Sequence, residues 1–378
     1  MATSKLINIE LELQWKSTFA EHNDVFYAIK VDPSIDILPA GFAAELIKLK
    51  KGESYSKTFQ ALDLLGEGYS SDKVIPFKSE LFDTSFKGQY SPPLLHRFYP
   101  SAIAWQGLNT SQSDYTPFRL ITINTSEMVA DLNHPLAKYY LTLTVKKIKQ
   151  SNSTNDDKRP KRDFFKLLTS KGPGMQAPFE FGDTIFFKQY PFTDVEELAY
   201  SMLKIGSKAA EEIAALHSQL LPKHSKVLDI LCSSNSYLDL EYKTGLLTGI
   251  GVYEEELIAN TRLDTFDVHN FNNDSSLPYE SNSFNDAICS LAIETLTNPL
   301  EVMKEIARVV NSGGKFIVTF SNNKYSNEAI SLWGQLHPFE RIQLVLEYFR
   351  DSGLFVELNT YSKRGMPDPV YAVWGTVK

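Results

Sequence analysis

From Lys226 onward, short apolar-rich runs alternate with amphipathic stretches, and this alternation constrains the fold more than any other feature. Lys226–Leu231, Leu246–Val252, Thr265–Val268, Asp286–Leu291 and Lys315–Phe320 are each four to seven residues long. Apolar-rich runs of that length read as strands buried on both faces. Before them, Ser207 is placed to cap a helix with Ala209, Ile213, Leu216 and Leu220 on one face, stopped by Pro222. After the fourth run, Asn298 caps a helix with Pro299 at its first position and Val302, Ile306 and Val309 as its apolar stripe. Gly313-Gly314 ends that helix, and a further one is expected over Pro338–Ser352. Two last strands, near Leu354–Tyr361 and Pro369–Val377, read as an antiparallel hairpin at the sheet edge. Strands alternating with helices predict a doubly wound α/β sheet, whose ligands sit at the carboxyl ends of the strands.

The first half has another period. Ile7, Ile9, Leu11 and Leu13 alternate with polar residues, as do Leu141, Leu143 and Val145. That is period two, a strand with one buried face. Phe118–Ile123 and Tyr55–Ala61 add strands, and Ala43–Leu49 a short helix after Ile37-Leu38-Pro39-Ala40-Gly41-Phe42. Many strands with one short helix predict an antiparallel α+β domain. Ser151–Arg162 is polar and ends in Lys158-Arg159-Pro160-Lys161-Arg162, which reads as a solvated linker; Lys171–Pro178 is turn chemistry. The expected organisation is therefore residues 1–150, a linker over 151–190, and residues 191–378.

Charge and cysteine use narrow the function classes. From Ser201 to the end there are 15 basic against 22 acidic residues, whereas the first 200 residues are near balance. Nucleic-acid modules carry the opposite sign, so no nucleic-acid partner is expected. Cys232 and Cys289 are too few for a disulfide framework or a four-thiolate zinc site, and no metal is expected. Met1–Gln14 has no continuous apolar core, and no run approaches about 18 apolar residues, so a cytoplasmic chain without membrane contact is expected. G-x-S-x-G, G-x-x-x-x-G-K and H-E-x-x-H are all missing from the sequence.

Two stretches of the second half resemble a known family. Leu277-Pro278-Tyr279-Glu280-Ser281-Asn282-Ser283-Phe284-Asn285 is similar to "L-P-F-x-D-x-S-F-D", and Glu305–Gly314 to "E-x-x-R-V-L-K-P-G-G", of class I S-adenosylmethionine (SAM)-dependent methyltransferases. The resemblance implies a Rossmann-like α/β domain and SAM as cofactor. It carries cofactor contacts onto Asp229, Ser233, Ser234, Asn235, Glu254, Asp267, Val268 and Ser290. The family's first strand leads into "D-x-G-x-G-x-G", but here the glycine positions hold Leu231, Ser233 and Asn235. The ribose-holding acid of the second strand aligns with Gly251; Glu254 and Glu255 follow three and four residues later. Asp267 matches the acid that meets adenine. Val227–Ser234, Gly249–Asn260 and Ser321-Asn322-Asn323 are similar to a branch of cyanobacterial and plastid methyltransferase-like proteins with a degenerate D-x-x-S-S motif.

Two readings of that loop stand side by side. In one, Ser233, Ser234 and Asn235 are a variant SAM loop, with asparagine adopting the left-handed backbone glycine would supply. In the other, Leu231 fills the pocket floor and the domain is silent. Glu294, after the fourth strand, reads as an exposed helix-start acid or an acceptor-side group. His269 reads as a surface or hydrogen-bonded histidine.

The first half resembles FKBP-type peptidyl-prolyl isomerases. Ile37–Glu53 follows their helix region, and Met128-Val129-Ala130-Asp131-Leu132-Asn133-His134-Pro135-Leu136-Ala137 is close to the "D-x-N-H-P-L-A-G" ending of the SlyD subfamily. The resemblance implies an insert-in-flap segment over about 77–116, used by SlyD-like proteins as a chaperone surface. It implies a polypeptide-binding wall of Phe26, Tyr27, Ile37 and Phe42. The acid after "V-F" is Tyr27 here, and "A-Y-G" becomes Leu64-Leu65-Gly66. Two functions follow as expectations. One is a SAM-dependent methyltransferase-like protein whose FKBP-type domain holds a polypeptide client or protein substrate. The other is a non-catalytic chaperone or assembly factor built from two degenerate enzyme folds.

Overall fold

A computed structural model describes residues 5–88, 90–154, 160–176, 205–322 and 329–378. Of the residues named above, Met1, Lys158, Arg159, Ala177, Pro178, Ser201 and Asn323 lie outside the described residues. The chain divides into two units, Met1–Trp15 with Ala28–Asp183, and Lys16–Tyr27 with Thr184–Lys378. No helix among the described residues is long and apolar enough to cross a membrane.

The first unit contains β1 (Lys5–Lys16), the end of β2 (Glu21–Val31), α1 (Phe42–Lys48), β3 (Ser54–Gln60), α2 (Ala61–Leu65), β4 (Val74–Lys78), β5 (Phe98–Pro100), β6 (Pro117–Ile123), β7 (Glu127–Asp131), β8 (Tyr140–Thr154) and α3 (Phe164–Leu168). One sheet runs β2-β1-β8-β3. The period-two residues Ile9, Leu11, Leu13, Leu141, Leu143 and Val145 are all fully buried. Phe42 of α1 packs among them, its ring 5.1 Å from Tyr55 and 6.4 Å from Phe59. A second sheet, β4-β7-β6-β5, has its own core of Phe77, Phe82, Tyr99, Phe118, Leu120 and Met128. Its base is closed by Asn133, which accepts from the Ser70 amide at 2.8 Å and donates to the Ser70 carbonyl at 2.9 Å. This inserted layer spans Val74–Asp131, wider than the 77–116 read from sequence.

Residues 160–176 are not a solvated linker; they are folded into the first unit. Arg162 donates to the carbonyls of Ile29 and Lys30 and to the buried Asp36 carboxylate at 3.1 Å. The His134 ring lies 3.0 Å from the Thr169 carbonyl, Lys171 donates to the Pro117 and Leu132 carbonyls, and Phe164, Leu168 and Met175 are buried. The polar composition concealed this, because the polar atoms are spent on backbone partners from distant elements.

The second unit contains α4 (Ser207–Leu220), β9 (Lys226–Ile230), β10 (Leu246–Gly251), α5 (Glu254–Ala259), β11 (Thr265–Val268), β12 (Asp286–Ser290), α6 (Pro299–Val309), β13 (Lys315–Ser321), α7 (Ser331–Gln335), α8 (Pro338–Ser352), β14 (Phe355–Arg364) and β15 (Val370–Val377). Its sheet order is β11-β10-β9-β12-β13-β15-β14-β2. The strands β11 to β13 pair in parallel, and β15 is antiparallel to both β13 and β14. Two expectations are corrected. The hairpin β14–β15 is not at the edge, because Glu21–Phe26 of β2 add a parallel strand beyond β14. Asp24, fully buried, takes the Arg364 guanidinium through both oxygens (2.9 and 2.6 Å) and the Ser362 hydroxyl at 2.6 Å, so hydrogen bonds and charge secure that strand. Gly206, not Ser207, is the cap of α4; its amide donates to Asp368 at 2.6 Å. No helix connects β9 to β10. That crossover is held open by Arg262, whose guanidinium donates to the carbonyls of Asp239, Leu240 and Tyr242, while Leu238 and Tyr242 enter the core.

Candidate functional site at the strand ends

Adjacent strands β9 and β12 send their chains in opposite directions, β9 toward β10 and β12 toward β13. The crevice at their carboxyl ends is where a doubly wound sheet takes its ligand. Both strands leave it through a leucine with left-handed backbone: Leu231 (φ 51°) and Leu291 (φ 59°). Each costs roughly 1–2 kcal/mol for a residue with a side chain. The turn that glycine makes cheaply is therefore retained without glycine. Packing holds it: Leu291 lies with Ala209, Ile213 and Val370, and its amide donates to the Thr319 carbonyl at 2.8 Å. Asn235, expected to be left-handed, is not among the positive-φ residues; Tyr237 (φ 49°) is. The Asn235 side chain instead accepts from the Tyr237 amide at 2.8 Å.

The loop after β9 is bolted down. The Cys232 amide donates to the Ile250 carbonyl at 2.9 Å. The buried Asn260 amide donates to the Ser233 carbonyl and the Ser236 hydroxyl, both at 2.9 Å. His217 of α4 meets the Tyr237 carbonyl at 3.0 Å through Nδ1. Ser233 is half-buried, while Ser234 is exposed.

Asp229 lies at the floor, 1% exposed. Its carboxyl meets the Ser236 hydroxyl and the Cys232 thiol, yet Oδ2 has no partner. Burial pushes its pKa from 3.8 up to about 6. Ser290, closing β12, also has a buried hydroxyl without a partner. Glu294 is not the exposed helix-start acid of one reading: it sits 5% exposed in the turn after β12, and burial raises its pKa. Both thiols are inert by the same cause, since burial raises Cys232 and Cys289 above the ordinary range.

The β10 side is crowded. A Cβ on Gly251 would stand 2.2 Å from the Cys232 carbonyl oxygen, and one on Gly249 2.6 Å from Leu263. No acid fits at 251. Glu254 is exposed in the first turn of α5. Asp267 and Val268 are exposed on β11, but Asp267 already accepts the Tyr279 hydroxyl at 2.8 Å. Tyr279 is placed by a clasp that unites the two family-like motifs. Arg308 donates to the carbonyls of Leu277 and Tyr279, and Glu305 accepts from the Leu277 amide at 2.7 Å. His269 meets the Asp274 carbonyl at 2.7 Å.

The structure thus brings Asp229, the 233–235 loop and Ser290 to adjacent strand ends, and leaves Glu254 on the outer face of α5. The expected polypeptide wall is distributed. Phe42 is fully buried in the first unit, and Ile37 pairs its backbone with residues 162–164 there. Phe26 and Tyr27 lie on the part of β2 in the second unit, with the Arg364 guanidinium 5.6 Å from the Phe26 ring. Sequence reasoning missed Asn260, Arg262 and Tyr279 as site-shaping residues. Their signals in the sequence were the Asn260 end of the Gly249–Asn260 stretch and Tyr279 within the Leu277–Asn285 motif.

The family model described as methionine biosynthesis protein MetW matches residues 212–350. The sterol 4-C-methyltransferase strm-1 of Caenorhabditis elegans is 28% identical over 149 residues, 36% of this chain. The chain spans 45% of that relative's length. Among solved structures, a SAM-dependent methyltransferase from Aquifex aeolicus is 15% identical with a TM-score of 0.32, covering 46% of this chain and 100% of its own. An S-adenosylmethionine-dependent methyltransferase from Mesorhizobium loti is 20% identical with a TM-score of 0.26, covering 31% and 55%.

Proposed function

We propose that the second unit is a SAM-dependent methyltransferase-like unit that binds its cofactor in the crevice between β9 and β12. The observation that carries the reading is Asp229: a buried carboxyl with one unpartnered oxygen at the switch point of the sheet. Buried polar atoms without partners are rare and call for one. An ammonium is the natural complement of a carboxylate, and the methionine end of SAM carries one. Asp229 and Ser290 fit that end. When bound, SAM supplies a methyl group on a sulfonium, already activated for displacement. What this chain contributes is position: Asp229 orients the ammonium, the Leu231 and Leu291 turns shape the floor, and Glu294 stands behind the β12 turn. Methyl transfer depends chiefly on proximity and alignment.

For the first unit we propose an FKBP/SlyD-like polypeptide-binding role. Its support is the period-two sheet with α1 across it and the inserted layer, which carries an open pocket of about 570 Å³ lined in part by Phe86, Lys87, Trp105 and Tyr115. In this reading the polypeptide is the substrate or client of the neighbouring unit, and tethering raises its effective concentration.

Calorimetric titration of SAM and S-adenosylhomocysteine into the full chain tests the cofactor reading. Micromolar binding that Asp229→Asn abolishes is expected; no heat at millimolar ligand refutes it. A second reading, a non-catalytic assembly factor, is favoured by Leu231 at the first glycine position and by the closed Gly251 position. Suppression of aggregation of an unfolded client, together with silence toward SAM, would establish it.

A further inference from the structure

We infer that the crevice recognises its ligand through the amino-acid end alone, and that the loop after β9 excludes the acid that would hold a nucleoside. The inference rests on the SAM-type reading of the crevice and assigns which part of such a ligand determines binding.

Two oxygens await a partner at one end. Asp229 Oδ2 and Ser290 Oγ are buried, unpartnered, and borne on strands separated by no other strand. A carboxylate and a hydroxyl recognise a primary ammonium. At the other end the protein excludes the acid that would hold a ribose. The position where a carboxylate would hold a ribose diol is Gly251, and the Cys232 carbonyl occupies the space its side chain would need. That carbonyl cannot swing aside freely. The preceding amide is bonded to Ile250, and Asn260 holds the next carbonyl, that of Ser233. Further out, the acid of β11, Asp267, is engaged by the Tyr279 phenol, whose own carbonyl is gripped by Arg308. Losing a charge-assisted hydrogen bond of this kind weakens binding about tenfold to a hundredfold. The ligand class is therefore a primary-ammonium amino acid of the methionine type, with or without a nucleoside attached.

The test is calorimetric titration of three probes into the full-length chain: S-adenosylhomocysteine, L-methionine, and 5′-methylthioadenosine, which keeps the nucleoside and sulfur but lacks the amino acid. The expected result is L-methionine within about tenfold of S-adenosylhomocysteine and methylthioadenosine at least a hundredfold weaker. Ser290→Ala, which removes a hydroxyl that bonds nothing in the fold, should weaken the first two about tenfold and leave methylthioadenosine unchanged. Methylthioadenosine within tenfold of S-adenosylhomocysteine overturns the inference and leaves the SAM reading standing. Binding of L-methionine with silence toward S-adenosylhomocysteine overturns the SAM reading and the inference that rests on it. Silence toward all three overturns both. Binding of S-adenosylhomocysteine or L-methionine that survives both Asp229→Asn and Ser290→Ala also overturns the inference.

Discussion

Replacing Asp229 with asparagine should stabilise the protein at neutral pH while removing its ligand. Asp229 is fully buried, and its pKa moves from 3.8 to about 6 on folding because burial penalises the charge. A folded pKa above the unfolded one means the folded state holds the proton more tightly. Stability is then fully present below about pH 4 and is lost as the pH rises through about 6. A shift of about two units corresponds to roughly 3 kcal/mol at about pH 7.5, and about half of that is already lost by about pH 5. Asparagine has no charge to desolvate, so its stability should not carry this slope. The assay is urea denaturation of wild type and Asp229→Asn at several pH values between about 4 and 7.5. The difference between them should grow in favour of the variant by about 2 kcal/mol across that range. The same substitution should abolish binding of any ammonium ligand, and wild-type affinity should fall as the pH drops below about 6, where the carboxyl protonates. Parallel stability curves would refute the reasoning, because Asp229 would then be solvated or compensated in a way the buried geometry does not allow.

Three further outcomes are expected. Asp24→Ala should cost about 3–5 kcal/mol of second-unit stability in denaturation, because it leaves Arg364 without its buried carboxylate; a loss under about 1 kcal/mol would show that β2 is not integral to that sheet. Gly251→Ala should destabilise by at least about 1–3 kcal/mol, since its Cβ would meet a tethered carbonyl at 2.2 Å, and an unchanged melting temperature would show the loop moves freely. Cys232 and Cys289, both buried with raised pKa, should resist iodoacetamide in the native protein and react only on unfolding, as mass spectrometry would report.

Asp24 also governs how the protein can be dissected. A fragment beginning after residue 190 lacks Glu21–Phe26, the strand paired with Asn359–Arg364. It would expose the edge of β14 and leave Arg364 and Ser362 without Asp24. Ligand measurements therefore belong on the full chain.

Local pattern specified many of the elements, though not β2, β4 or α5. Period-two alternation in Ile7–Leu13 and Leu141–Val145 set which face of each strand is buried, because side chains alternate by geometry alone. The apolar-rich runs at 226–231, 246–252, 265–268, 286–291 and 315–320 marked the parallel strands, and the structure places strands within one residue of each. Asp229 and Ser290 were reachable through family-like motifs in the same stretches. What the sequence could not reveal were pairings between residues far apart in the chain. Asp24 meets Arg364 across 340 positions, and Arg162 reaches Asp36 across 126. Neither has a local signature, since an isolated aspartate or arginine reads as surface charge until its partner is known. The crossover from β9 to β10 depends on a distant partner too: carbonyls of Asp239, Leu240 and Tyr242 are satisfied by Arg262, twenty or more residues away. The character of the crevice was likewise decided in three dimensions. Gly251 looked like a missing acid, and only the position of the Cys232 carbonyl shows that no side chain fits there. Sequence determined where the chain turns and which faces are apolar; tertiary packing determined which polar atoms remain unpartnered, and with them where a ligand can be held.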